Sequence, residues 1–306
     1  MTSQTIAVLM PGDMGHAVGR ALRKHGHEVI TCLKGRGEHT HKLAELAGLK
    51  YVASLRAIVE QTDLILSILP PAAAIEQAKA VAREMRATGC KPIYVDCNAI
   101  SPHTANRVAE IIEEADALFI DAGIIGLAPG KGAGPRFYVS GPNTGPMMSL
   151  DGKGFSVIAM GERVGEASAL KMVYAGLTKG TWTLHTAVLL AAQKLGVMDT
   201  LLEEFEGSQT AALAAMRARV PFLPADSSRW IGEMEEIAAS FSEAGVTSGF
   251  HEGAAEIFHL LAKTPFAIET RQTMDRSRTL EEALQVFECY VDKSQPNQKQ
   301  KIGVDK

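Results

Sequence analysis

Several kinds of chemistry are excluded by what this chain lacks. Its four cysteines, Cys32, Cys90, Cys97 and Cys289, form no C-x-x-C pair, so neither a disulfide framework nor a zinc site is indicated and no bound metal is expected. No apolar run is long enough to span a bilayer. The net charge is only −4, which leaves no electrostatic case for nucleic acid or an anionic membrane as partner. The opening M-T-S-Q-T leads into an apolar segment without a signal-peptide pattern, and a cytoplasmic location is the expectation. What remains is a globular composition, 46% hydrophobic and 22% charged, in 306 residues, enough for two domains.

The chain is organised around residues 5–19, T-I-A-V-L-M-P-G-D-M-G-H-A-V-G. Residues 5–10 are a short apolar run, as expected of a strand buried on both faces. Glycines follow at Gly12, Gly15 and Gly19, and residues 17–26 have helical spacing. A strand, a glycine turn and a helix can seat a dinucleotide pyrophosphate, because the free N–H groups and dipole of the helix N-terminus favour an anion. Pro11, Gly12, Asp13, Met14 and Gly15 are therefore the expected cofactor contacts. Gly12 and Gly15 fill the second and third positions of G-x-G-x-x-G, but Met10 stands at the first, so the tight turn must be made another way. On the motif alone, an ordinary strand-to-helix turn remains an alternative.

Residues 28–33 read as a second strand, followed by the basic turn Lys34-Gly35-Arg36-Gly37. In a Rossmann unit this point, about 20 residues past the glycine turn, faces the adenosine ribose. NAD sites usually place a carboxylate there, whereas Lys34 and Arg36 suit a 2′-phosphate. NADP is the expected cofactor; NAD, or a solvated turn that contacts nothing, are the alternatives. Further short apolar runs at 63–69 (stopped by Pro70-Pro71), 91–96 and 117–121 continue the alternation with helical segments, and two more follow at 136–141 and 155–160. The pattern predicts an α/β fold, a Rossmann-type doubly wound parallel sheet, extended by the last two runs. Residues 166–195 then read as one long helix, and helical periodicity without strands continues to about 291. We expect a cofactor domain over 1–161, an all-helical substrate and dimerisation domain over 162–292, and a disordered tail over 293–306.

Ligands of open α/β sheets bind at the carboxyl ends of the strands. Three such ends carry distinctive residues: Ser67 to Pro71, Asp96 to Pro102, and Asp121 to Gly126. Asn98 can donate and accept, which suits a hydroxyl or carboxylate, although a loop asparagine also bonds its own backbone. Asp96 and Asp121 read as structural groups. Lys171, between Leu170 and Met172, is either a lysine whose ammonium snorkels to water or a partly desolvated base able to exchange a proton with an alcohol.

Four segments occur in order: the glycine turn with Met14-Gly15, D-C-N-A-I-S-P at 96–102, D-A-G-I-I-G at 121–126, and G-E-A-S-A-L-K ending at Lys171. Together they resemble the β-hydroxyacid dehydrogenase superfamily, which includes 6-phosphogluconate and hydroxyisobutyrate dehydrogenases. Segments 233–238, 249–257 and 278–284 resemble the helical domain of its bacterial phosphogluconate dehydrogenase-like branch. The resemblance implies a cleft between two domains, a homodimer, a small-molecule substrate and Lys171 as the proton-transfer residue. It places the nicotinamide beside Leu69, Pro70 and Asn98, and the substrate against Asn98, Gly123, Ile124, Ile125 and Gly126. Where the family has serine-glycine-glycine, this chain has Ile125-Gly126-Leu127, and where it has an asparagine after the lysine, this chain has Tyr174-Ala175. An isoleucine cannot hydrogen-bond a carboxylate, so a larger or more apolar substrate is indicated. Tyr174, Arg229 and His251 are further candidate substrate contacts, with His259 a weaker one. The expected function is NADP-dependent hydride transfer at an alcohol carbon of a hydroxy acid or related alcohol. Imine reduction on the same fold, and non-catalytic NADP binding, are the alternatives.

Overall fold

The computed structural model describes residues 4–291. The expected tail at 293–306 lies outside them. The first part of the chain alternates strands and helices: β1 (Thr5–Leu9), α1 (Gly15–Lys24), β2 (Glu28–Thr31), α2 (Glu38–Ala47), β3 (Lys50–Tyr51), α3 (Leu55–Gln61), β4 (Leu64–Ser67), α4 (Ala74–Thr88), β5 (Ile93–Asp96), α5 (Pro102–Glu113) and β6 (Phe119–Ile125). Then come β7 (Arg136–Ser140), α6 (Gly145–Met148) and β8 (Ser156–Gly161). They form one eight-stranded sheet in the order β3-β2-β1-β4-β5-β6-β7-β8. Neighbouring strands are parallel except β6 and β7, which run antiparallel.

Alternation along the strands explains why their sequences are nearly all apolar. Ala7, Leu9, Ile65 and Tyr94 enter one core, while Ile6, Val8, Leu64, Leu66 and Val95 enter the other, so both faces are covered. Local signals set the helix starts. Ser54 and Ser101 each accept a hydrogen bond from the third residue onward, at Ala57 and Thr104, and Pro102 takes the first helical position of α5.

The sixth strand departs from expectation. It starts at Phe119 and continues to Ile125, so D-A-G-I-I lies within the sheet and not in a loop after it. The extension comes from pairing with β7, with Gly123 opposite Tyr138 and Ile125 opposite Arg136. That partner is remote in sequence, and a five-residue apolar window does not reveal it.

After β8 the described chain is helical: α7 (Glu166–Leu195), α8 (Met198–Ser208), α9 (Thr210–Arg219), α10 (Pro224–Glu243), α11 (Gly249–Ala262) and α12 (Leu280–Glu288). Packing divides the chain into two compact units. One holds the sheet, α7 as far as Gly180, and Gly232–Glu252; the other holds Thr181–Ile231 and the chain from Gly253. The division thus falls inside α7, α10 and α11. In the second unit Trp230 packs on Trp182 and Phe258, at ring-centroid distances of 5.2 and 5.3 Å.

Candidate active site

The glycine turn links β1 to α1. Met10 adopts φ 58°, the left-handed conformation that a glycine at the first motif position would take without a Cβ penalty. The Gly12 carbonyl accepts the His16 N–H at 2.9 Å and lies 2.8 Å from His16 Nδ1. A Cβ built on Gly12 meets no protein atom within 4 Å, so the crest of the turn is open to an approaching ligand. Gly15 does the opposite job: a Cβ there would come within 3.0 Å of the Met10 carbonyl oxygen and 3.1 Å of Val8 Cγ1. The glycines therefore divide as a dinucleotide site requires, one for ligand approach and one for helix-on-strand packing. Pro11 is buried, Met14 half-buried and Asp13 exposed.

Lys34 and Arg36 follow β2. Lys34 is exposed and Arg36 half-buried, and neither has a carboxylate partner among the described residues. The nearest acid in sequence, Glu38, pairs with Lys42 at 2.7 Å. Thr31 Oγ1 donates to the Val8 carbonyl at 2.8 Å, which fixes the end of β2 against β1 beneath this turn.

A row of buried polar residues crosses the sheet at the carboxyl ends of β4 and β5. Ser67 pairs in register with Asp96, Asp96 with Asp121, and Asp121 with Ser140. Asn98 joins two of these strand ends. Its Oδ1 accepts from Leu69 N, and its Nδ2 donates to Asp96 Oδ2 at 2.8 Å and Ser67 Oγ at 3.2 Å. Its backbone N–H donates to Asp96 Oδ1 at 2.9 Å. At 2% exposure, Asn98 spends its amide holding the loops after β4 and β5 together. Leu69 is buried and Pro70 half-buried on the first of those loops. Burial pushes the Asp96 carboxyl up to about 7; the Asn98 bonds oppose this and the charge of Asp121 adds to it.

Asp121 anchors the helix that carries Lys171. Its Oδ2 accepts from Gly165 N at 2.9 Å, Ser168 N at 3.0 Å and Ser140 Oγ at 3.0 Å, and Oδ1 accepts from Ser168 Oγ at 2.6 Å. A carboxylate thus caps α7 from a neighbouring strand, satisfying first-turn donors and opposing the helix dipole. Burial raises its pKa while these bonds lower it, and burial prevails. One strand residue pair further, α7 rests on bare backbone: a Cβ on Gly123 would lie 2.6 Å from the Ala167 carbonyl oxygen and 3.0 Å from Lys171 Cβ. Gly123 brings the half-buried Lys171 against the strand ends.

The sequence compares with known proteins as this geometry suggests. The NAD binding domain of 6-phosphogluconate dehydrogenase matches residues 5–146, and a domain of unknown function, DUF1932, matches residues 192–261. An uncharacterized 28.5 kDa protein of Methanothermus fervidus is 34% identical over 199 residues, 64% of this chain and 75% of the relative. The chain belongs to the β-hydroxyacid dehydrogenase superfamily. The 3-hydroxyisobutyrate dehydrogenase of Pseudomonas aeruginosa is 26% identical over 246 residues, 78% of either chain. A conserved protein of unknown function, described as structurally similar to 3-hydroxyacid dehydrogenases, is 28% identical with a TM-score of 0.61, covering 84% of this chain and 96% of its own.

Within this superfamily fold, the remaining candidate residues separate clearly. Ile125 lies on the same face of β6 as Gly123, and is 3% exposed. Ile124 does not belong with it. Strand alternation turns its side chain to the opposite face, into the core with Ala122, Phe137 and Val139. Gly126, with φ 116°, is exposed, and Tyr174 is 48% exposed one turn after Lys171 on α7. His251 is buried against α7: its Cε1 would touch a Cβ on Gly176 at 3.2 Å, and its ring meets Phe241 edge-on at 4.2 Å. Burial lowers its pKa below the ordinary histidine value. In the second unit, Arg229 pairs with Asp226 at 2.8 Å, and His259 is exposed.

Two groups escaped sequence reasoning. Lys179, on α7, and Glu233, on α10, form a buried ion pair at 2.7 Å. One turn along, Glu236 accepts from Ser101 N at 2.7 Å and Thr104 Oγ1 at 2.9 Å, tying α10 to the start of α5. The acidic run E-M-E-E at 233–236 was the available signal, but an acidic helix segment is more often a solvated face.

Proposed function

We propose that the protein is an NADP-dependent oxidoreductase that transfers hydride at the alcohol carbon of a hydroxy acid or related alcohol, acting as a homodimer. The observation that carries this reading is the contact of α7 with Gly123, which sets Lys171 beside the carboxyl end of β6. The open crest at Gly12 fits the pyrophosphate of a dinucleotide, and the cations of Lys34 and Arg36, without a carboxylate partner among the described residues, fit a 2′-phosphate. When bound, the nicotinamide supplies the hydride acceptor for oxidation or the hydride donor for reduction.

The chain's own residues supply position and a proton. In oxidation, neutral Lys171 Nζ takes the hydroxyl proton as the C–H electron pair departs as hydride; in reduction, its ammonium returns a proton to the carbonyl oxygen. Asn98 acts through others, since its amide is committed to Leu69, Asp96 and Ser67. It holds the Leu69-Pro70 loop in place, and we assign it positioning in place of direct proton transfer. Ile125, an apolar side chain on the Gly123 face, favours a second reading, imine reduction, in which the substrate has no carboxylate to be gripped there.

The test pairs turnover with binding. Wild type and Lys171→Ala are assayed with NADP(H) on a panel of 3-hydroxy acids and cyclic imines. The proposal expects hydroxy-acid turnover that falls at least about a hundredfold in Lys171→Ala while NADPH still binds. Near-normal turnover in the variant would refute the role of Lys171, and activity on imines alone would favour the second reading.

A further inference from the structure

The residue that breaks the glycine motif also holds the arginine of the basic turn. Arg36 Nη1 donates to Met10 Sδ at 3.6 Å, and this thioether is its only side-chain hydrogen-bond acceptor among the described residues. Met10 is half-buried, with its side chain packed against the apolar core. Its backbone, at φ 58°, is in a left-handed conformation that strains a residue with a Cβ and costs glycine almost nothing. Glycine at position 10 would thus close the turn with less strain but would present nothing to Arg36. An arginine otherwise free to rotate loses conformational entropy whenever it binds, and a preformed contact removes part of that cost.

We propose that Met10 is a selectivity residue for the cofactor: its thioether holds the Arg36 guanidinium beside the glycine turn, oriented for a phosphate monoester on the adenosine ribose. The inference rests on the NADP reading given above. It accounts for the strained methionine, the arginine without a carboxylate and the lack of any acid between Glu28 and Glu38 as one arrangement. Guanidinium suits this role because it meets phosphate with paired N–H donors, and a sulfur acceptor leaves its full positive charge unneutralised.

The experiment is equilibrium titration of the full chain with NADPH, NADH and 2′,5′-ADP, for wild type, Met10→Gly, Met10→Leu and Arg36→Ala. Arg36→Ala tests the underlying reading: it is expected to weaken NADPH and 2′,5′-ADP by about tenfold or more and to leave NADH unchanged. Met10→Gly is expected to weaken NADPH and 2′,5′-ADP by about threefold to tenfold, with NADH unchanged and thermal stability unchanged or higher. Met10→Leu keeps apolar bulk and loses the sulfur acceptor, and should resemble Met10→Gly in selectivity. If Arg36→Ala destroys selectivity but Met10→Gly and Met10→Leu keep it, the role of Met10 is refuted and the NADP reading stands. If both cofactors weaken equally in Met10→Gly, the residue only shapes the turn, and the inference is likewise overturned. If Arg36→Ala leaves selectivity intact, the basic-turn reading falls and the inference with it.

Discussion

Removing the Asp121 carboxylate should loosen the start of α7 more than any other single change at the strand ends. In Asp121→Ala the N–H groups of Gly165 and Ser168 and the hydroxyls of Ser140 and Ser168 lose their common acceptor in a site where Asp121 is fully buried. Hydroxyls can turn to other partners, whereas the two backbone donors cannot, and each orphaned donor costs about 1–3 kcal/mol. With the lost dipole interaction, the expected destabilisation is about 3–5 kcal/mol. Asp121→Asn is the informative companion. Its amide oxygen can still accept from the backbone donors, its NH2 can donate to Ser168 Oγ, and the cost of burying a charge is relieved. Its expected cost is below about 2 kcal/mol. Urea denaturation with both variants at constant m value measures the difference, and amide exchange at residues 165–168 should accelerate more in Asp121→Ala than in Asp121→Asn. A loss below about 1 kcal/mol in Asp121→Ala, or equal losses in both variants, would refute the capping argument.

Two further outcomes follow from other parts of the molecule. Gly12→Ala adds a methyl group that meets no protein atom, so stability should change by less than about 0.5 kcal/mol while NADPH affinity falls about tenfold or more; calorimetric titration beside a thermal melt checks both. For Asp226, burial alone would raise the carboxyl pKa, but the Arg229 and Arg271 guanidiniums outweigh it and hold the group below its ordinary value. A depressed folded-state pKa gives stability that is present above the unfolded value, about 4, and is lost as pH falls through the folded one. Wild type should therefore lose stability below about pH 4 more steeply than Asp226→Asn, and parallel stability-pH curves would contradict the clamp.

The primary sequence by itself determined the elements whose cause is local. Apolar runs buried on both faces gave the parallel strands, serine caps and Pro102 placed α3 and α5, and uninterrupted helical spacing gave α7 its full length of Glu166–Leu195. It also named the glycine turn and Lys171, because those residue types carry their chemistry with them. Tertiary structure decided what depends on partners far along the chain. Only the pairing with β7 extends β6 through Gly123 and Ile125, and only alternation within that longer strand separates Ile125 from Ile124. Likewise, Asn98 reads as a ligand group in sequence but is spent on Leu69, Asp96 and Ser67, and Met10 reads as a defect in a motif until Arg36 is found on its sulfur. Local propensity depends on neighbours within a few residues, whereas hydrogen-bond satisfaction and backbone approach depend on which strands and helices the fold brings together.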